Sequence, residues 1–269
     1  MPQFLMRTGI LLMLVLSACS VLGGDDKNSD NIIIQQSTNL IQWNRDPYAI
    51  IFRADLTGGD TESFLGRNEI PACTIYGDNR VVWVNDLPGF GSEVLEDRLS
   101  DERIISFIEH LTFAENIYSY EAAADLELPG DVQPVVETLR VFVNNNDHVA
   151  DAFSGWPSDY YERIVEACQT LSESPVLFEP TGAWVSAQEI AYDTNLASVE
   201  WDAEAANLSF AEIFDSGQPR WIDDNNVRIL WRILRESPPN IQFIEGDRTF
   251  QLAFEIPAVT RLAPPPPGN

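Results

Sequence analysis

Hydrophobic and polar residues follow a two-residue period in several short stretches of the chain, as in half-buried β-strands. An apolar stretch at 49–56 predicts a first strand. The stretches 73–76 and 80–84 are rich in β-branched and aromatic residues and flank a Gly-Asp-Asn sequence that tolerates positive φ, so they predict a β-hairpin. The stretches 138–143 and 148–153 lie on either side of three consecutive Asn residues and predict a second hairpin.

The residues after the first hairpin change to a helical period. Ser100 is a suitable N-cap, and Asp101 and Glu102 would face the positive end of the helix dipole. Leu99 before the cap and Ile104 after it can form a hydrophobic staple. The apolar face of this predicted helix comprises Ile104, Ile105, Ile108 and Leu111.

A second helix is predicted to begin at Trp156-Pro157-Ser158. Its apolar face comprises Tyr161, Ile164, Val165, Cys168 and Leu171. The order strand, hairpin, helix, hairpin, helix predicts an α+β fold for 45–174, in which antiparallel hairpins form a sheet and the helices cover one of its faces.

The residues at 175–260 predict a second small α+β unit, followed by a disordered Pro-rich tail at 261–269. Its predicted elements are strands at 184–185 and 198–201, a short helix at 208–214, a helix capped by Asp223 or Asp224 that carries Val227, Leu230, Trp231 and Leu234, and a hairpin of 241–244 with 249–256.

The formal net charge of −26 narrows the range of partners. Nucleic acids are bound through clustered Lys and Arg, so an acidic chain of this kind argues against a nucleic-acid partner. Direct adhesion to anionic lipid headgroups is disfavoured for the same reason. The acidic residues are spread along the chain, which favours a role in solubility over attraction to a cationic partner, the alternative interpretation.

An apolar run from Thr8 to Leu16 precedes the sequence Leu16-Ser17-Ala18-Cys19. The run is too short to cross a bilayer, which takes about 20 apolar residues, and it has the form of a secretion signal. The motif resembles the lipobox of bacterial lipoproteins. That resemblance implies cleavage of a signal peptide at 1–18 and lipid attachment to Cys19, so that acyl chains hold the protein on the extracytoplasmic side of the membrane. The polar residues 19–44 are then a tether.

Two cysteines remain once Cys19 is set aside, Cys73 and Cys168. In an oxidising compartment they are either buried thiols or a disulfide. Cys168 lies on the core-facing side of the second predicted helix, and Cys73 shares a strand face with Ile75. Both sulfur atoms can therefore point into the same layer, and we predict that they pair.

The first predicted unit also resembles a group of uncharacterised bacterial extracytoplasmic domains. The resemblance lies in the hairpin sequence Thr-Ile-Tyr-Gly-Asp at 74–78 and in the helix start formed by Leu99, Ser100 and Glu102. Asn79 stands where those domains usually have Gly, and Asn tolerates the left-handed conformation. The resemblance supports the fold and implies no activity.

A search for catalytic and metal-binding patterns nominates no residue. The sequence has no Gly-x-Ser-x-Gly nucleophile elbow, no zinc-ligand spacing and no glycine-rich phosphate loop. His110 and His148 are expected to have structural roles. The pattern Asp26-x-Asn28-x-Asp30 begins like a calcium loop but lacks the later Gly and Glu. We therefore predict no metal, no cofactor and no catalytic residue.

These observations favour a binding or assembly component of the cell envelope, whose partner is an envelope protein or a glycan. Two alternatives remain: an envelope hydrolase that uses paired carboxylates, and a carbohydrate-binding module. Tryptophan side chains could stack on sugars, but those in predicted strands and helix faces are expected to pack in the core: Trp83, Trp184, Trp201 and Trp231.

Overall fold

The computed structural model of the protein describes residues 40–87, 91–122 and 134–268, and residues 39–269 form one compact unit. The seven strands of the first sheet lie in the order β6-β5-β1-β2-β3-β4-β7, and every pair is antiparallel. They are β1 (Ile50–Thr57), β2 (Cys73–Tyr76), β3 (Arg80–Leu87), β4 (Gly91–Arg98), β5 (Val136–Val143), β6 (Asn146–Asp151) and β7 (Val176–Leu177).

The second sheet has five strands in the order β10-β8-β12-β11-β9. The pair β9–β11 is parallel, and the remaining pairs are antiparallel. The strands are β8 (Ala183–Glu189), β9 (Ser198–Glu200), β10 (Arg220–Ile222), β11 (Gln242–Glu245) and β12 (Arg248–Glu255).

Each of the described α-helices except α2 begins where a side chain accepts a hydrogen bond from the backbone of the first turn. Ser100 caps α1, as predicted, and Asp202, Ser209 and Asp224 cap α3, α4 and α5. The helices are α1 (Asp101–Glu109), α2 (Tyr160–Gln169), α3 (Ala203–Ala206), α4 (Phe210–Ser216) and α5 (Asn225–Glu236).

Two hydrophobic cores lie on the two faces of the first sheet. The first core contains one face of β1, β2 and β5 with α1 and α2, which include the fully buried Ile104 and Ile164. The opposite face contributes Tyr76, Val82 and Val94 to a second core, which the second sheet and α5 complete. Helices α1 and α2 therefore cover one face of the first sheet, as the sequence predicts, and the second sheet with α5 covers the other.

The disulfide lies in the first core. Cys73 of β2 and Cys168 of α2 are both fully buried, their sulfur atoms are at bonding distance, and their Cα atoms are 6.4 Å apart. This geometry confirms the predicted juxtaposition. A bond between residues 95 positions apart connects the helical layer to the middle of the sheet.

The α+β class and both hairpins are confirmed, with some differences in detail. The second helix begins at Tyr160 and not at Trp156, because Pro157 belongs to a turn in which its carbonyl accepts from the Tyr160 N–H. The turn of the second hairpin has two residues with positive φ, Asn144 and Asn145, and Asn146 already belongs to β6. The sequence patterns missed four short or polar elements: β4, β7, β10 and α3.

Both ends of the described chain contact the body. Trp43, predicted as tether, donates from Nε1 to the carbonyl of Gly77 at 3.2 Å. In the predicted tail, the carbonyl of Pro265 accepts from Trp184 Nε1 at 3.0 Å. The predicted division of the body near residue 174 stays a prediction.

Candidate functional site

Helix α5 forms one wall of a largely apolar cleft. Its N-cap is Asp224, one of the two candidates from the sequence, and the Asp224 carboxylate accepts from the Asn226 N–H at 2.8 Å. Val227 and Leu230 face the second core and are fully buried. The helix packs against β4 of the first sheet, and it therefore lies beside that sheet's outer edge.

Three arginines occupy one side of this helix. They are Arg228, Arg232 and Arg235, which are spaced by four and then three residues. This spacing puts side chains on one face of a helix. They line a cleft of about 490 Å³, which we call the α5 cleft. Its other lining residues come from β4, from β7 and the chain after it, and from α5 itself: Ser92, Glu93, Val94, Leu177, Phe178, Glu179, Pro180, Trp231 and Glu236.

The apolar part of the α5 cleft is aromatic. The rings of Phe178 and Trp231 meet edge to face, with their centroids 5.7 Å apart. Trp231 also lies 6.3 Å from the ring of Phe254 in the second sheet. The cleft therefore offers a fixed aromatic surface, which favours flat or branched apolar groups of a ligand.

Arg235 connects the aromatic surface to the charged side of the cleft. Its guanidinium lies 4.9 Å from the centre of the Trp231 ring, and its Nη2 donates to the carbonyl of Asn68 at 2.7 Å. Its Nε is buried and has no hydrogen-bond partner among the described residues. Burial lowers the pKa of the Arg235 guanidinium from its usual value, because desolvation opposes the charged form.

Arg228 and Arg232 differ from most arginines of this chain. Both side chains are exposed, and neither guanidinium group has a hydrogen bond or an ion pair with any residue that the structure describes. Glu93, Glu179 and Glu236 line the same cleft, but none of them comes within 4.0 Å of an arginine nitrogen in the described residues. The two guanidinium groups are therefore available to an anion from outside.

A second cleft, also of about 490 Å³, lies where the other end of β4 meets the second sheet. We call it the Glu96 cleft. Charged side chains of β3 and β4, with Asp78 of the preceding turn, lie on one side and Trp221 on the other. The backbone at Gly182 lies against the Trp221 ring, and a Cβ at this position would come within 2.2 Å of a ring carbon. Gly182 is therefore needed for this position of the Trp221 ring.

The carboxylates of the Glu96 cleft have different surroundings. Asp78 accepts from Arg98 Nη2 at 3.3 Å, and Arg80 Nε lies 3.9 Å from it. The side-chain carboxylate of Glu96 has no hydrogen bond to any described residue. Burial raises the pKa of the Glu96 carboxyl above its usual value, with nearby Arg80 and Arg98 opposing the shift and Asp78 adding to it.

The residues singled out in the sequence have mainly structural positions. His110 is exposed, with Nε2 3.5 Å from Glu115 Oε1, and His148 Nε2 lies 3.1 Å from the carbonyl oxygen of Ile117. Trp83 and Trp201 are buried in the two cores, as expected of packing residues. The predictions for Cys19, the leader, most of the tether and the calcium-like pattern lie outside the described residues.

In the described part of the chain, no helix is long and apolar enough to cross a membrane. In residues 40–87, 91–122 and 134–268, no three His, Cys, Asp or Glu side chains are grouped so that they could hold a metal ion. The chain matches no protein-family model, no curated protein and no solved structure.

The α5 arginines are the functional candidates that sequence reasoning missed. Three of the chain's 16 basic residues fall within eight positions, at helical spacing, in a chain of net charge −26. That local concentration was a usable signal. The other walls of the cleft gave no such signal in the sequence, because Phe178 and the β4 residues lie far from α5 in the chain.

Proposed function

We propose that this protein is a lipid-anchored binding component of the bacterial cell envelope, and that it binds its partner in the α5 cleft. The observation that carries the proposal is the position of the Arg228 and Arg232 guanidinium groups, which have no partner in the described part of the chain, beside the aromatic surface of Phe178 and Trp231. A group with both an anionic and an apolar part would satisfy both halves of the cleft.

The cellular setting of the proposal rests on the sequence. The lipobox-like motif at Leu16–Cys19 would place the mature amino terminus in the membrane, and the tether would hold the folded body above it. The body would then present the α5 cleft to other components of the envelope. Replacing Cys19 with Ser should release the protein from membrane fractions.

Binding in the α5 cleft can be measured with two fluorescent probes that differ by one charge. The anionic probe is 8-anilinonaphthalene-1-sulfonate, and the neutral probe is N-phenyl-1-naphthylamine, which lacks the sulfonate. In the purified full-length chain, the double variant Arg228→Gln/Arg232→Gln should bind the anionic probe about tenfold more weakly, because it loses two charge-assisted contacts. It should bind the neutral probe unchanged.

Two control variants separate the charged and apolar parts of the cleft. Trp231→Ala removes a large part of the aromatic surface and should weaken the binding of both probes. Arg140→Gln removes an exposed arginine of β5 that is already paired with Asp147, at the opposite end of the first sheet, and should affect neither probe. Equal affinity of the native chain and the double variant for the anionic probe would contradict the proposal.

A second candidate function is hydrolysis of a glycan in the Glu96 cleft. The observation that favours it is the partly buried Glu96 carboxyl beside Asp78 in a cleft walled by Trp221. In this reaction protonated Glu96 would give its proton to the glycosidic oxygen as the C–O bond breaks, and a water molecule activated by Asp78 would complete the hydrolysis.

The test of this second candidate is release of reducing ends from purified peptidoglycan. Glu96→Gln should abolish the release, whereas Glu93→Gln, on the opposite face of the same strand, should leave it unchanged. Absence of release by the native chain would exclude this activity on that substrate.

A further inference from the structure

Strand β4 is paired along its whole length on one side only. β3 pairs with every residue from Gly91 to Arg98. On the other side β7 reaches only Leu95 and Glu96, and one further bond joins the Phe178 N–H to the Val94 carbonyl at 2.8 Å. The chain then leaves this edge at Pro180, whose nitrogen has no hydrogen to donate.

The register shows where the uncovered backbone groups of β4 point. In an antiparallel strand the N–H and C=O of one residue point to the same side, and the side alternates from residue to residue. The Val94 carbonyl points away from β3, towards β7. Ser92, two residues earlier, therefore also points its N–H and C=O away from β3. Among the described residues these two groups have no partner.

This uncovered edge opens into the α5 cleft. Ser92 and Val94 line the cleft together with the α5 arginines. Val176 and Leu177 of β7, at the same edge, are more than half exposed. An exposed edge of this kind is a template for strand addition, because an incoming backbone can form the missing hydrogen bonds.

We propose that the occupant of the α5 cleft is an extended peptide segment of a partner protein, which pairs with β4 at Ser92 and continues the sheet where β7 ends. Its acidic side chains, which share one face of the added strand, contact Arg228 and Arg232. This inference rests on the proposed function and specifies its ligand. The positive charge of Arg228 and Arg232, which have no partner among the described residues, selects an acidic segment. The Ser92 backbone groups, likewise unpaired there, select a strand over a small anion.

The test uses a capped, fluorescein-labelled peptide of seven residues in which Val and Glu alternate, and its binding to the full-length chain is followed by fluorescence anisotropy. Ser92→Pro removes the outward N–H without removing a bond to β3, and proline is tolerated at such edge positions. The Ser92→Pro variant should bind the peptide at least fivefold more weakly than the native chain. Ser92→Ala removes only the hydroxyl and should stay within twofold of the native chain.

The outcomes separate this inference from the proposed function. If Ser92→Pro binds as well as Ser92→Ala while Arg228→Gln/Arg232→Gln binds weakly, strand pairing is wrong and the anion site stands. If the double arginine variant binds normally while Ser92→Pro fails, the arginine role in the proposed function is wrong. If the native chain does not bind the peptide, the strand inference is overturned.

A second measurement avoids any dependence on the folding of Ser92→Pro. Two versions of the same peptide carry N-methyl groups on alternate residues, one set on each edge of the extended strand. Strand pairing through one edge requires that one version bind at least fivefold more weakly than the other. Equal binding of the two versions would overturn the inference. A peptide with Lys in place of Glu should not bind measurably.

Discussion

The region around the first core and the α5 cleft use charged residues in opposite ways. Around the first core, Arg45 pairs with Asp101 at 2.6 Å, and Arg140 pairs with Asp147 at the same distance. In the α5 cleft, Arg228 and Arg232 have no partner among the residues described. The Arg45 and Arg140 charges are already paired within the fold, whereas the Arg228 and Arg232 guanidinium groups, unpaired among the described residues, are open to an external anion.

The largest expected effect concerns the disulfide, which belongs to the first region. Replacing both Cys73 and Cys168 with Ala should lower the free energy of unfolding by about 4–5 kcal/mol, because a closed loop of this length restricts the unfolded chain. Urea unfolding of the full-length chain measures this change. The same loss should follow when the native chain is treated with a reductant. A loss below about 1 kcal/mol would mean that the first region does not depend on its covalent link.

The next effect concerns a buried ion pair that connects β1 to the end of the chain. Arg261 Nη2 lies 2.7 Å from Asp55 Oδ1, and both side chains are at least 90% buried. Arg261→Ala should lower the free energy of unfolding by about 3 kcal/mol, because it leaves a buried carboxylate without its partner. Arg140→Gln, which breaks an exposed pair, should cost less than about 1 kcal/mol. Equal losses for the two variants would show that burial does not determine how much these ion pairs contribute to the free energy of unfolding.

A smaller effect depends on pH. Hydrogen bonds from Arg45 and Asn79 lower the pKa of Asp101 to about 2, so its contribution to stability is complete above its usual value of 3.8. The contribution is lost as the pH falls from about 4 to about 2. Because the Asp101 side chain is 40% exposed, solvent screening limits this contribution to stability to about 1 kcal/mol or less.

The measurement for Asp101 is the difference in unfolding free energy between the native chain and Asp101→Asn at several pH values. The difference should be constant at pH 5–7 and should shrink towards pH 2. A difference that does not change with pH would show that the Arg45 pair does not depend on the ionised carboxylate.

The smallest expected effect on stability is in the α5 cleft itself. Arg228→Gln/Arg232→Gln should change the free energy of unfolding by less than about 0.5 kcal/mol, because both side chains are exposed and unpaired in the described structure. Thermal unfolding beside Arg261→Ala gives the comparison directly. A loss above 1 kcal/mol would show that these arginines also serve the fold.

Sequence patterns predicted the fold better than the site, for physical reasons. The α1 cap, both hairpins and the juxtaposition of Cys73 with Cys168 follow from local periodicity and turn chemistry. Strand β4 was missed because Glu93, Glu96 and Asp97 interrupt its apolar pattern. The cleft was missed because α5 and β4 lie more than 100 residues apart in the chain, and only the fold brings them together.

The most direct test of the central claim is hydrogen exchange of the full-length chain, measured by mass spectrometry with and without the alternating Val and Glu peptide. The account predicts slower exchange at 91–95 and 176–180 when the peptide is present, and no change at 136–151, the opposite edge of the same sheet. Protection confined to 136–151, or no protection anywhere at a peptide concentration that saturates the anisotropy signal, would contradict it.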